Sequence, residues 1–179
     1  MLISRLLECI NAVSPIEDRE VENITDNSEK CAEGSVFVCH KGGEKYLSSA
    51  LSKGAVLVIA DKKLSENCAV VEDTRKAYSL LCAEFFSHSY KKLRLIGVTG
   101  TNGKTTTTYL IRQILMLKGL RCDLIGTNQI IVGDDKRESS RTTPESLDLF
   151  EIFDEMAQSG GEYVVMEVSS VGLMMDRVE

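Results

Sequence analysis

The chain has 179 residues, 43% of them hydrophobic, enough for one large α/β core or two small ones. Its 21 Lys+Arg stand against 27 Asp+Glu, a formal net charge of −6 that argues against binding nucleic acid or an anionic membrane through net charge alone. With 13 Gly and 2 Pro among long apolar segments, low complexity and disorder are poor descriptions, and no apolar run approaches the roughly 18 residues of a membrane span.

The N-terminus, Met1 to Glu8, mixes charge into its apolar positions and reads as an amphipathic helix with no cleavable signal peptide. Apolar residues at helical spacing continue to about Val13. Gly34 then introduces a β-rich run, Ser35 to Cys39, and residues 44–53 have the pattern of a short helix stopped by Gly54. Ala55–Ala60 is a continuous apolar run, the pattern of a strand covered on both faces, and Ala69–Val71 reads as another strand. Asp73 is placed to cap a helix carrying Ala77, Leu80, Leu81, Phe85 and Phe86. Cys9, Cys31, Cys39, Cys68, Cys82 and Cys122 form no C-x-x-C pair, and His40 and His88 are the only histidines. That spacing argues against zinc and for reduced, partly buried thiols in a cytoplasmic protein.

The polar stretch Ser87–Lys92 lacks a period and reads as a boundary between a domain at 1–90 and a second at 91–179. The pattern then restarts: a strand over Leu93–Thr99, a Gly-rich loop, and a helix from Lys104 to about Lys118. Leu110, Ile111, Ile114, Leu115 and Leu117 are expected on the inner face of that helix. A strand near Cys122–Gly126 and a hairpin turning at Gly133–Asp135 follow. Pro144 is expected to open a helix ending before Gly160, with Thr143 as its N-cap, and Tyr163–Val168 to form a buried strand. Both halves are thus α/β, the second an incomplete parallel-sheet domain with about three candidate parallel strands.

The chemistry concentrates in Gly100-Thr101-Asn102-Gly103-Lys104-Thr105-Thr106, where a buried strand runs into a Gly-rich turn and a helix. Glycines let successive backbone N–H groups turn inward toward phosphate oxygens, and the helix N-terminus adds partial positive charge. Lys104 is placed to reach the β- and γ-phosphates of ATP, and the Thr105 hydroxyl to ligate Mg²⁺. Val98 stands where the strict phosphate-loop pattern has its first Gly, so the loop is a variant. Glu167 follows four apolar strand residues, which puts a carboxylate at the sheet's carboxyl edge, where it is either a solvated acid or a metal ligand opposite Thr105. Thr142 and Thr143 either start a helix or grip an anion, and Ser169 and Ser170 either contact a ligand or satisfy a turn.

Together these blocks resemble the Mur ligase family, ATP-dependent amide ligases of peptidoglycan precursor synthesis, and within it the MurE-type tripeptide synthetases. The resemblance rests on Gly100–Thr106, Thr142-Thr143-Pro144-Glu145 and Met166-Glu167-Val168-Ser169-Ser170, with Asp26-Asn27-Ser28 and Gly34–Val38 upstream. It implies a small uridine-nucleotide-binding domain followed by part of an ATP-binding domain. By the same resemblance, Lys104 and Glu167 serve catalysis, Thr105 and Glu167 hold Mg²⁺, and Ser28, Thr142, Thr143, Ser169 and Arg177 contact a UDP-N-acetylmuramoyl-dipeptide. The amine substrate is a diamino acid, and no nucleic acid or membrane insertion is involved. Val171 replaces the family's His, and Asp26-Asn27-Ser28 lacks its Arg. The family has three domains, so this chain is expected to be inactive by itself. A non-catalytic nucleotide-binding module, or a relative such as folylpolyglutamate synthase, are the alternatives.

Overall fold

Four short strands, β1 (Asn23–Thr25), β2 (Ser35–Cys39), β3 (Ala55–Ala60) and β4 (Cys68–Val70), pair in sequence order and all in parallel. β2 is buried along its whole length and β3 nearly so, as expected of apolar runs covered on both faces. Phe37, Val58, Ala50 and three thiols, Cys31, Cys39 and Cys68, pack into one cluster on this sheet. The connecting helices are α1 (Ile3–Glu8), α2 (Leu47–Ser52) and α3 (Thr74–Phe85). Asp73 caps α3, its Oδ1 accepting from the Arg75 and Lys76 N–H groups at 2.9 and 3.2 Å. Gly54 ends the α2 segment at φ +100°, where a Cβ would lie 2.7 Å from the Glu33 backbone. α1 is shorter than the apolar spacing implies, because Asn11 turns into the left-handed region and Val13 is exposed. β1, three residues long, carries too few positions to show a period in the sequence.

The computed structural model describes all 179 residues, and they divide into two compact units, Met1–Phe85 and Phe86–Glu179. The polar residues Ser89–Lys92 form a 3-10 turn at the start of the second unit. That unit holds β5 (Arg94–Val98), α4 (Lys104–Leu117), β6 (Cys122–Ile125), β7 (Gln129–Val132), β8 (Asp135–Glu138), α5 (Ser146–Gln158), β9 (Tyr163–Glu167) and α6 (Ser170–Met174). Its strand order is β5-β9-β6-β7-β8. The first three strands are parallel, and β7 and β8 add an antiparallel hairpin that turns at Gly133 (φ +58°), so the sheet is mixed.

Two helices and one strand differ from these expectations. Leu110, Ile114 and Leu117 are 53, 59 and 80% exposed, whereas Thr108 is buried and Ile111 and Leu115 are half-buried. Apolar residues occupy two stripes of α4, and the sheet takes the stripe through Thr108, Ile111 and Leu115. The other stripe is open, and so is β5: the strand entering the Gly-rich loop is an edge strand with Arg94, Leu95 and Gly97 exposed, not the buried strand expected. The helix α5 begins at Ser146, with Glu145 at its N-cap position, and leaves Pro144 outside. Thr143 is therefore not the cap; its hydroxyl is engaged elsewhere.

Candidate functional site

Glu167 closes β9, and the parallel register sets it opposite Val98, the last residue of β5. The chain leaving β5 enters the Gly-rich loop, so register alone brings the loop and the acid to one carboxyl edge. Gly100 (φ +141°) and Gly103 (φ +78°) adopt backbone geometry that L side chains rarely take, and Gly103 caps α4. Thr101, Asn102, Gly103 and Thr106 are exposed, while Lys104 and Thr105 are half-buried. The Lys104 ammonium donates to the Gly100 carbonyl at 2.7 Å, folded back over the loop it would serve.

Glu167 is 1% exposed, which removes the reading of a solvated acid. Its Oε2 accepts from the Thr105 hydroxyl at 3.0 Å and from the Thr127 hydroxyl at 3.1 Å. Its Oε1 accepts the Thr127 backbone N–H at 2.9 Å. Thr127 follows β6, whose register pairs Ile125 with Met166, so the next residues of both strands meet. Gly126 makes the approach possible, because a Cβ there would lie 2.7 Å from Glu167 Oε1. Thr142 joins through its hydroxyl, 3.0 Å from that of Thr127.

The donors around this point are hydroxyl and carboxylate oxygens, the set a hard divalent cation prefers. Thr105 and Glu167 thus fit Mg²⁺. With a single carboxylate, they would supply only some of the oxygen ligands such a cation needs.

Thr143, Ser169 and Arg177 are brought together behind the acid. The Thr143 hydroxyl, 1% exposed, donates to the Glu167 carbonyl at 3.0 Å and accepts the Ser169 N–H at 2.9 Å. The Ser169 hydroxyl caps α6 by accepting the Gly172 N–H at 3.0 Å. Gly172 packs so closely that a Cβ would lie 2.9 Å from the Thr143 methyl. Arg177, 6% exposed, donates to the Thr143 carbonyl at 3.0 Å and to Glu145 Oε1 at 2.7 Å, and Arg141 meets the same oxygen at 2.8 Å. In this arrangement Thr143 and Arg177 brace the end of β9.

Ser28 lies in the first unit, buried, at the head of a 3-10 turn after β1 that Asn27 caps by accepting the Glu29 N–H at 2.9 Å. At the carboxyl end of the same sheet His40 bridges two other residues, with Nδ1 3.0 Å from the Thr74 hydroxyl and Nε2 3.4 Å from Asp26. All six cysteines are free thiols, and burial pushes those of Cys9 and Cys122 up to about 11.

Sequence reasoning missed Thr127, Gly126 and the His40–Thr74 contact, and gave Glu145 and Asp26 no role beyond their motifs. The available signal was position: Gly126-Thr127 directly follows a strand, as the loop and Glu167 do.

Residues 98–179 match the Mur ligase middle domain. Over 167 residues, 89% of this chain and 35% of the relative, the sequence is 44% identical to UDP-N-acetylmuramoyl-L-alanyl-D-glutamate--2,6-diaminopimelate ligase 1 of Clostridium acetobutylicum. A ligase of the same description from Clostridium perfringens is 39% identical, over 99% of this chain and 39% of its own length. Among solved structures, a UDP-N-acetylmuramoyl-L-alanyl-D-glutamate--2,6-diaminopimelate ligase superposes with TM-score 0.80 at 28% identity, covering 99% of this chain and 38% of that one. The MurF ligase from Thermotoga maritima in complex with ADP shares the fold, with TM-score 0.52 at 24% identity over 83% of this chain and 32% of its own. This chain thus spans 35–39% of the length of these two curated relatives. No helix is long and apolar enough to cross a membrane.

Proposed function

We propose that this chain, whose residues 98–179 match the Mur ligase middle domain, is part of a Mur ligase and holds the nucleotide substrates of an ATP-dependent amide ligase of peptidoglycan precursor synthesis. The reaction joins a diamino acid, 2,6-diaminopimelate by the names of its relatives, to UDP-N-acetylmuramoyl-L-alanyl-D-glutamate. The observation that carries this reading is the contact of Thr105 and Glu167 at the mouth of the Gly100–Lys104 loop. The cytoplasm, which supplies ATP, is the compartment this reading implies.

The ATP phosphates lie against the N–H groups of the loop and the first turn of α4. Lys104 leaves the Gly100 carbonyl and pairs with the β- and γ-phosphates. Thr105 and Glu167 hold Mg²⁺, which supplies charge neutralisation between two polyanions when bound. The substrate carboxylate takes the γ-phosphoryl group, forming an acyl phosphate and releasing ADP. The incoming amine attacks the acyl carbon, inorganic phosphate leaves, and an amide remains. Loop N–H groups and Lys104 meet charge as it develops on the transferring group. Thr142, at the rim, contacts the substrate, and Thr143, Ser169 and Arg177 hold the β9–α6 corner that faces it. Ser28 serves the uridine diphosphate end.

Calorimetry of the 179-residue chain with ADP·Mg²⁺ and, separately, with UDP tests this reading. Binding of both is expected, with ADP binding abolished by EDTA. No binding of either nucleotide would overturn it. Amide formation is expected from the whole ligase and not from this chain, which spans 35–39% of such relatives. Turnover by the chain alone, with ATP, Mg²⁺, nucleotide substrate and diaminopimelate, would show that assignment to be wrong.

A further inference from the structure

We infer that Thr127 is a positioning residue that fixes the Glu167 carboxylate for its cation and couples it, by a run of hydroxyl protons, to Thr142. The inference rests on the Mg²⁺ reading of Glu167 and adds a residue to it.

Thr127 reaches both carboxylate oxygens, its N–H donating to Oε1 at 2.9 Å and its hydroxyl lying 3.1 Å from Oε2. Two donors from one residue fix the rotation of the carboxylate as well as its place. The same hydroxyl is 3.0 Å from that of Thr142 but has a single proton. An ionised carboxylate can only accept, so the Thr127 proton goes to Glu167 and the Thr142 proton goes to Thr127. A contact made by Thr142 at the rim therefore changes the donor strength felt by Glu167. Gly126 supports the assignment independently: a side chain there would stand 2.7 Å from Oε1, so the backbone before Thr127 is fitted to this carboxylate. Thr127 itself is exposed, so filling the core does not explain it. A cation held by Thr105 and Glu167 would leave the Thr127 N–H free to keep its bond to Oε1. Outer partners of this kind typically change metal affinity by about 10–100-fold.

The test is Mn²⁺ binding to the 179-residue chain with ADP, followed by electron paramagnetic resonance, with thermal melts of each metal-free variant. Thr127→Val keeps the shape and the N–H but removes the proton donor. It is expected to weaken Mn²⁺ binding about tenfold with little change in the melt, and Thr127→Ser is expected to restore it. Thr142→Val, at a half-buried position, is expected to weaken binding two- to threefold. Glu167→Gln separates the two levels. If it weakens binding while Thr127→Val does not, the positioning inference falls and the cation reading stands. If Glu167→Gln leaves Mn²⁺ binding unchanged, or the unaltered chain binds no Mn²⁺ with ADP, the cation reading falls and the inference with it. A melt lowered by Thr127→Val with binding unchanged would make Thr127 structural and overturn the inference.

Discussion

Thr105 donates its hydroxyl proton to Glu167 across 3.0 Å, although 62 residues separate the two in the chain. The contact follows from sheet register. β5 and β9 run parallel with Val98 opposite Glu167, so the helix that starts after β5 faces the end of β9. Side chains at that edge therefore stand beside the Gly-rich loop.

Lys104→Ala should separate anion binding from folding. The Lys104 side chain makes a hydrogen bond to the Gly100 carbonyl and is half-buried. Removing it is expected to lower ADP affinity at least tenfold in calorimetry, with the thermal midpoint moving by no more than about 2 °C, as for a surface substitution. Retained ADP affinity would remove Lys104 from the phosphate site.

Glu167→Gln should remove the cation without unfolding the chain. A buried carboxylate that accepts three hydrogen bonds would normally be costly to replace. Here two of the donors are hydroxyls, which can rotate and accept from an amide instead, while the Gln oxygen keeps the Thr127 N–H. The melt is expected to change by about 1 kcal/mol or less, a few degrees for a chain of this size. The Mg²⁺ dependence of ADP binding is expected to vanish. Unchanged dependence would return Glu167 to a structural role.

Gly126→Ala should act on the carboxylate through space. The added Cβ would stand 2.7 Å from Glu167 Oε1, closer than such contacts allow, so the acid must shift. A loss of about 1–3 kcal/mol in stability, the usual cost of overpacking, is expected together with weaker Mn²⁺ binding. Gly97→Ala is the control. Its Cβ would meet a methyl of Val168 at 3.2 Å, and metal binding should be spared. Equal metal loss in both would trace the effect to general strain.

The loop, Lys104 and Glu167 were legible in the sequence because each carries a local signature: glycines before a helix, and an acid closing an apolar run. The strands Ser35–Cys39 and Ala55–Ala60 were legible for the same reason, as continuous apolar runs between turn residues. α4 was legible as a helix but not in its facing, since Leu110, Ile114 and Leu117 and the Thr108–Ile111–Leu115 stripe are equally helical in spacing. Thr143 misled because Thr-Pro-Glu fits a helix start, yet its hydroxyl is drawn to the Glu167 carbonyl, which no local pattern encodes. Thr127 and Gly126 needed the β6–β9 register, a pairing between residues about 40 apart in the chain.

Asp123→Asn should stabilise the chain at neutral pH and not in acid. Asp123 is 3% exposed on β6; its Oδ1 accepts the Gly133 N–H at 2.8 Å, while Oδ2 has no hydrogen-bond partner. Burial pushes this carboxyl above its ordinary value of 3.8, opposed by the Gly133 N–H and the charges of Arg121 and Arg112, and helped by Glu155. The folded chain therefore holds the proton more tightly than the unfolded chain. The stabilising contribution is fully present below the ordinary carboxylate value and is lost as pH rises through the raised folded one. Above that, an ionised oxygen stays buried without a partner, at a cost of about 1–3 kcal/mol. Asparagine keeps the acceptor for Gly133 and removes the charge from the unpartnered oxygen. Thermal melts from pH 4 to 8 are expected to show the variant a few degrees higher at pH 7, with the gap closing toward pH 4. A gap independent of pH would show that Asp123 does not titrate differently in the folded and unfolded chain.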